Sequence, residues 1–331
     1  MAMKFSRRQF LHLATGAAAP PALSRTVAAQ SYPSRPIRLV IPFPPGGIND
    51  AVGRPWADKA GPLLGPVVVE NIGGAGSTIG VAAVARAQPD GYTLLIGNSS
   101  NQVIAPIASS RLPFDPLRDF DAIYRLAVTG LAIAVHPSIP AHNLKDLVDY
   151  AKANRGKLAY ASAGVGTTNH FVGEMFKLAT STPDITHVPY RGAGPATNDL
   201  LGGQILLMWA TVTGQLIQLH NSGKLRVLAV TSPKRLIGAP EIPTAIEAGF
   251  PDLVWEGFVG LFTPKGTPAP IIERIAQVTR TVLTDSDLQK NWIEAGMEPD
   301  LDSTPEKGRQ FVEGEIRRWA PIVKATQFKL D

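Results

Sequence analysis

An apolar run, Ile37-Arg38-Leu39-Val40-Ile41, is bounded by Pro36 and Pro42 and leads through Phe43-Pro44-Pro45 to the pair Gly46-Gly47. Its composition and boundaries predict a buried strand. From Ala51 to Leu64, small, apolar and charged residues mix as they do in a helix. A strand that turns on two glycines into a helix is a strong local constraint. It leaves the N–H groups of Gly47, Ile48 and Asn49 without partners inside the helix, and the helix dipole favours an anion in front of them. The same glycines also suit a plain tight connection, and this stretch alone leaves both readings open.

The strand–helix unit recurs along the chain. Val67 to Ile72 is a β-branched run that ends at Gly73-Gly74-Ala75-Gly76, and a helix of small residues follows from Ser77 to Ala87. Tyr92 to Ile96 is a third strand, opening into Gly97-Asn98-Ser99-Ser100-Asn101-Gln102. After the proline-rich Leu112 to Pro116 comes the apolar run Leu131 to Val135. Asn143 then caps a helix with Leu144, Leu147, Val148 and Ala151 on one face. Strands are expected at Lys157–Ala161, Ile185–Val188, Gln204–Trp209, Leu225–Thr231 and Gly257–Phe262, with helices at Thr168–Ala179, Pro195–Leu201 and Thr213–Asn221. The tail carries a helical stripe on Ile271, Ile275, Val278 and Val282, and a second helix start at Ser303-Thr304-Pro305-Glu306.

Such a series predicts an α/β fold of mostly parallel sheets flanked by helices. Two series with a returning tail predict two lobes: residues 30–125 with 256–331, and residues 126–255. The chain then crosses between them near 125 and 255.

The first 29 residues read as an address. Ser6-Arg7-Arg8-Gln9-Phe10-Leu11 is a twin-arginine pattern, a mildly apolar stretch follows, and Val27-Ala28-Ala29 is a small-residue cleavage site. The expectation is export to the periplasm, with the mature chain starting near Gln30. The whole chain has 32 basic and 27 acidic residues. Setting aside Lys4, Arg7, Arg8 and Arg25 leaves 28 against 27, so the basic excess belongs to the leader and points to no nucleic-acid surface. With no cysteine, disulfides, thiolate metal sites and cysteine nucleophiles are excluded.

No nucleophile elbow, phosphate-binding loop or metalloprotease motif is present. His136, His142, His170, His187 and His220 are scattered in sequence, without carboxylates at ligand spacing, so no metal and no cofactor are expected. Gly164-Val165-Gly166 resembles part of a dinucleotide fingerprint, but Asn169 stands in the third glycine position. Asp184, twenty residues on, precedes its strand and cannot reach a ribose at the strand's carboxyl end.

Four strand ends instead share one chemistry. Gly46 to Asn49, Asn98 to Gln102, Ser162 to His170 and Ala210 to Thr213 carry Gly, Ser, Thr and Asn with few charges. Open α/β sheets bind ligands outside the carboxyl ends of their strands, so these loops are expected to converge on one cleft. Backbone N–H groups and hydroxyls without a nucleophile–base pair suit the holding of a carboxylate. The candidate ligand-binding residues are Phe43, Gly46, Gly47, Ile48, Asn49, Asn98, Ser99, Asn101, Ser162, Ala163, Gly164, Gly166, Thr167, Thr168, His170, Trp209 and Thr211. No catalytic residue is assigned. His170 is read as an anion donor or a structural hydrogen-bonder, Phe43 and Trp209 as pocket wall or core. Arg191 is read as a surface group in preference to a ligand contact.

Several motifs then carry a resemblance: Pro42 to Gly47 with Asp50, Val68-Val69-Glu70-Asn71 before Gly73 to Gly76, and Pro89-Asp90-Gly91-Tyr92-Thr93-Leu94. Further on come Leu112 to Pro116 with Asp119-Phe120, Val188-Pro189-Tyr190-Arg191-Gly192, Asp199 to Gly203, Leu228 to Thr231 and Ile242 to Gly249. In order and over almost the whole mature chain, these resemble the substrate-binding receptors of the tripartite tricarboxylate transporter family, the Bug receptors. The resemblance implies a type II periplasmic-binding-protein clamshell. It also implies a receptor that binds a small carboxylate between its lobes and presents it to a membrane permease. A monomer is expected because no exposed apolar repeat in the sequence suggests an interface. The carboxylate would lie on Gly46 to Asn49 and on Ser162 to His170, with Asp50 completing the helix start away from the ligand. Two departures stand out. Ile48 and Asn49 replace the Ser or Thr common after the glycine pair, and Ala210 replaces an Asp common after the Met-aromatic pair. The second removes a partner for an amino group and points to a dicarboxylate or an aromatic acid. A periplasmic enzyme on the same fold and a ligand sensor for a membrane signalling protein are the alternatives.

Overall fold

The computed structural model describes residues 32–325 and 328–330; the export signal expected over residues 1–29 lies outside them. From Arg35 onward the chain is built on two sheets flanked by helices. In chain order the strands are β1 (Ile37–Ile41), β2 (Val67–Asn71), β3 (Thr93–Asn98), β4 (Phe120–Thr129), β5 (Leu131–Val135), β6 (Ala159–Ser162) and β7 (Thr186–Pro189). They continue as β8 (Leu207–Thr211), β9 (Arg226–Val230), β10 (Gly257–Pro264) and β11 (Glu298–Pro299). The helices are α1 (Ile48–Leu64), α2 (Thr78–Ala85), α3 (Ala105–Ala108, entered through a π-helical turn over Ser100–Ile104), α4 (Leu144–Ala153) and α5 (Thr168–Thr180). After them come α6 (Ala193–Leu201), α7 (Gly214–Asn221), α8 (Ala269–Val282), α9 (Ser286–Glu294) and α10 (Pro305–Ala325).

The first sheet runs β11-β4-β10-β3-β1-β2 and the second β7-β6-β8-β5-β9. The βα units pair in parallel, β1 with β2 and β3, and β6 with β7 and β8. A reversed strand is slotted into each sheet, and the first sheet also carries β11, antiparallel to β4, at its edge. β10 lies antiparallel between β3 and β4, and β5 lies antiparallel between β8 and β9. The strands on either side of each insertion therefore still run the same way, which gives the α/β architecture expected from the repeated units.

Local chemistry explains the elements. The Asn143 side chain accepts from the Asp146 N–H and caps α4, whose Leu144, Leu147, Val148 and Ala151 are all buried. Burial contributes roughly 1.5–3 kcal/mol for each of the larger apolar side chains. β5 is buried at every position, as a run of Leu, Ala, Ile and Val between two partners requires. The sequence reading placed no strand over 120–129, yet β4 fills ten residues there. Its charged residues obscure the pattern and are satisfied from far along the chain: Arg125 pairs with Asp300 at 2.6 Å and Asp121 with Lys265 at 2.7 Å.

The chain changes sheet twice, at Gly130 and between Val230 and Gly257. Thr231 ties the two crossings together. Its hydroxyl donates to the Trp255 carbonyl at 2.9 Å and accepts from the Leu131 N–H at 3.0 Å. Gly257 is required there, because a Cβ would stand 2.2 Å from the Trp255 ring.

Candidate functional site

Two adjoining cavities lie where the carboxyl ends of strands from both sheets meet. The larger, of about 470 Å³, touches Gly46, Gly47, Ile48 and Ala51 on one side. On the other it touches the starts of α6 (Ala193, Gly194) and α7 (Thr213, Gln215), with Met208, Ala210 and Leu216. The smaller, of about 50 Å³, is lined by Asn98, Ser99, Ser100, Thr129, Thr168 and Thr211, and by Leu131, Trp255, Phe258 and Val259. Ile48 and Thr211 line both. No charged side chain lines either one.

Two stretches that line this space carry N–H or O–H groups without an acceptor among the described residues. At the first helix start, Gly46 holds a positive φ of 86°, and its N–H is taken by the Asp50 carboxylate at 3.2 Å. The Asp50 and Ala51 N–H groups both turn to the Gly47 carbonyl. The N–H groups of Gly47, Ile48 and Asn49 have no acceptor among the described residues, the arrangement that attracts an anion. Ser99 accepts from the Phe258 N–H at 2.9 Å, so its own hydroxyl hydrogen remains to be given.

Behind the first start stands a charged lock. Asp50 also accepts from Arg54 at 2.9 Å and from Asn71 at 3.0 Å. Burial pushes its carboxyl up, but the hydrogen bonds from Arg54, Asn71 and Gly46 outweigh this and hold it below the usual carboxylate value. Asn49 is buried; its amide donates to the Ile96 carbonyl at 3.0 Å and accepts from Asn98 at 2.9 Å. Asn101, also buried, accepts from the Asn98 N–H at 3.0 Å. These two amides pin the turn to β3.

The second sheet's loop is held without charge. Ser162 is fully buried, accepts from the Gly164 N–H at 3.1 Å and shares a 2.7 Å hydrogen bond with His187. The Thr167 hydroxyl donates to the Gly164 carbonyl at 2.7 Å and its oxygen caps α5, while the Ala163 carbonyl accepts from Gly192. His170 accepts from the Gly166 N–H at 3.3 Å. Its ring stacks on His187 at 3.8 Å and lies 4.6 Å from Phe328. Burial, and then the neighbouring His187, push the His170 pKa down to about 4, so at neutral pH the ring is uncharged.

Of the candidate residues, Gly46, Gly47, Ile48, Asn98, Ser99, Thr168 and Thr211 line the cavities. Asn49, Asn101, Ser162, Ala163, Gly164, Gly166, Thr167 and His170 hold the loops behind them, and Phe43 lines neither cavity but gives its carbonyl to Asn71. Trp209 is fully buried core, edge-on to Tyr160 at 4.9 Å and Phe176 at 5.1 Å. The two-residue period of a strand explains this, since Met208 and Ala210 take the cavity side. Arg191 is exposed and lines neither cavity. The histidines scattered in sequence are not all apart in space, as the stacked pair on α5 and β7 shows. Among the described residues no group of three His, Asp or Glu is placed to hold a metal ion. Sequence reasoning missed the α6 start, although Gly192-Ala193-Gly194 after β7 repeats the strand–glycine–helix signal. It also missed Trp255 and Phe258, which only the second crossing brings in.

Residues 53–328 match the family model described as the tripartite tricarboxylate transporter family receptor. The chain belongs to that family. It is 35% identical to the protein BugT of Bordetella pertussis over 326 residues, covering 97% of this chain and 96% of BugT. The fold superposes on the periplasmic binding protein BugD with a TM-score of 0.78, at 35% identity over 90% of this chain and 99% of BugD. It also superposes on Rhodopseudomonas palustris Rpa4515 with adipate, with a TM-score of 0.80 at 30% identity, covering 90% and 99%. For MatC from the same organism with bound malate, the TM-score is 0.78 at 29% identity, covering 88% and 100%. The chain is thus a solute-binding receptor of a periplasmic family. Among the described residues no helix is long and apolar enough to cross a membrane.

Proposed function

We propose that this receptor binds a small carboxylate without an amino group, a dicarboxylate or an aromatic acid, and delivers it to a tripartite tricarboxylate-type permease. The observation that carries the reading is a cleft lined by open helix starts and hydroxyls with no charged side chain. An anion there is held by backbone N–H groups and helix dipoles, and hydrogen bonds to a charged group are the stronger kind, about 1.5–3 kcal/mol each. An ammonium group finds no carboxylate partner, since Ala210 stands on the wall and Asp50 faces Arg54 behind the turn. The carboxylates named with Rpa4515 and MatC, adipate and malate, support the ligand class.

In this reading residues 30–125 and 256–331 form one lobe and 126–255 the other. The lobes hinge at the crossings tied by Thr231, and a ligand favours closure because both lobes then touch the same anion. Export by the twin-arginine route delivers the protein to the periplasm. A thermal-shift screen of the purified protein against dicarboxylates, aromatic acids and amino acids tests it. A ligand at about 100 times its Kd stabilises the fold by roughly 2.7 kcal/mol, giving a clear rise in melting temperature. A panel in which only amino acids shift the transition, or no carboxylate does, contradicts the proposal.

A further inference from the structure

Ile48 occupies a singular place in the cleft. It is the first residue of α1, next to the open N–H groups of the turn, and it is one of two residues that line both cavities. The other, Thr211, comes from the end of β8 in the second sheet. The boundary between the chambers is thus formed by the first residue of α1 and the last of β8, and on the α1 side it is a β-branched apolar chain. Such a chain is stiff at χ1 and does not swing aside freely.

The chambers differ in kind. The smaller, of about 50 Å³, is lined by the hydroxyl residues Ser99, Ser100, Thr129, Thr168 and Thr211 and by Asn98, whose side-chain N–H is given to Asn49. It has room for a carboxylate head and little more. The larger, of about 470 Å³, has Ala51, Met208, Ala210, Leu216 and Leu219 in its walls, with the Gly46-Gly47 turn and the α6 start beside them, and suits a methylene body that ends in a second carboxylate. A ligand that fills both must thread past Ile48 with the carbon next to its head carboxylate.

We propose that Ile48 is the specificity-determining residue of this receptor, a septum that admits carboxylates unsubstituted at the carbon next to the head group and rejects those branched there. The inference rests on the carboxylate-receptor reading and names its substrate class: linear α,ω-dicarboxylates with an unbranched methylene body. Discrimination of one extra methyl group in an apolar site is worth about 10- to 200-fold, so branching should be felt on that scale.

The test is calorimetric titration of the full chain with glutarate, adipate and 2,2,4,4-tetramethylglutarate, which is branched beside both carboxylates, for the natural protein and for Ile48→Ala and Ile48→Met. The natural protein should bind the linear acids at least tenfold more tightly than the tetramethyl acid. Ile48→Ala should bring that ratio towards one, chiefly by improving the branched ligand. Ile48→Met, which keeps apolar bulk but removes the branch at Cβ, should fall between. Ile48 is partly buried and outside the fully buried core, and circular dichroism melts are to check that each variant is folded. If the linear acids bind and the ratio is the same in all three proteins, the septum role is overturned while the carboxylate reading stands. If no carboxylate binds the natural protein, the underlying reading has failed.

Discussion

The two sides of the cleft hold their loops by different means. On the first sheet the α1 start is braced by charge, with Asp50 set against Arg54, Asn71 and the Gly46 N–H. On the second sheet the α5 start is braced by neutral groups: Ser162 on His187, His187 stacked on His170, and Phe328 against His170. In both, the bracing groups sit behind the loop and the face turned to the cavity stays uncharged. Both braces fix the loop donors in advance without placing a cation at the cavity wall, which lowers the ordering cost of binding an anion there. The contrast also separates the two sides experimentally, because the first brace responds only to strong acid and the second to mild acid.

The largest expected effect comes from the first turn. Gly47 has φ −84° and ψ 177°, close to what proline adopts, and Gly47→Pro removes one open N–H with little backbone change. The affinity for a dicarboxylate should fall about 10- to 150-fold, the 1.5–3 kcal/mol of a hydrogen bond to a charged group, with the melting temperature nearly unchanged. A Kd within twofold of the natural protein's means that this turn does not hold the anion.

Next in size is the charged brace. Asp50→Ala should cost about 1–3 kcal/mol of stability through the loss of buried hydrogen bonds, measured by denaturant unfolding at pH 7. Because the folded pKa of Asp50 lies below its ordinary 3.8, its stabilisation is full above pH 3.8 and is lost as the pH falls through the lower folded value. The variant should therefore lose less stability than the natural protein between pH 4 and pH 2.

The neutral brace is sensitive at higher pH. His170 is depressed from 6.5 to about 4, so folding favours the neutral ring. Its contribution is full above pH 6.5 and declines as the pH drops towards 4, where the unfolded chain takes up the proton first. The facing groups are His187, also shifted down by burial, with Glu174 and Lys177 on α5. His170→Phe keeps the stack and removes one titration, and should flatten the fall of melting temperature between pH 6.5 and 4. A slope equal to the natural protein's contradicts the assignment. The smallest effect is expected at Thr168, which lines the small chamber. Thr168→Val should weaken dicarboxylate binding about two- to tenfold, the 0.5–1.5 kcal/mol of one modest hydrogen bond, without changing the fold's stability beyond about 0.5 kcal/mol.

The same contrast marks what could be read from the sequence. The βα series, the Asn143 cap and the glycine turn after β1 are local, and each was legible because its signal lies within a few residues. β4 was not, since Arg125 and Asp121 find partners 175 and 144 residues away. The His170–His187 stack and its Phe328 cover join α5, β7 and the tail, and no spacing in the chain announces them. Trp209 shows the finer limit. A strand end reaches the cleft, but the pleat decides which of its residues faces it, and the sequence alone left that choice open.

A cleft with no charged side chain in its lining should select carboxylates that lack an amino group. Calorimetric titration of the purified protein with adipate and with 2-aminoadipate tests it most directly. Adipate should bind at least tenfold more tightly. Equal or tighter binding of 2-aminoadipate would contradict it, because it would require an ammonium partner that this wall does not contain.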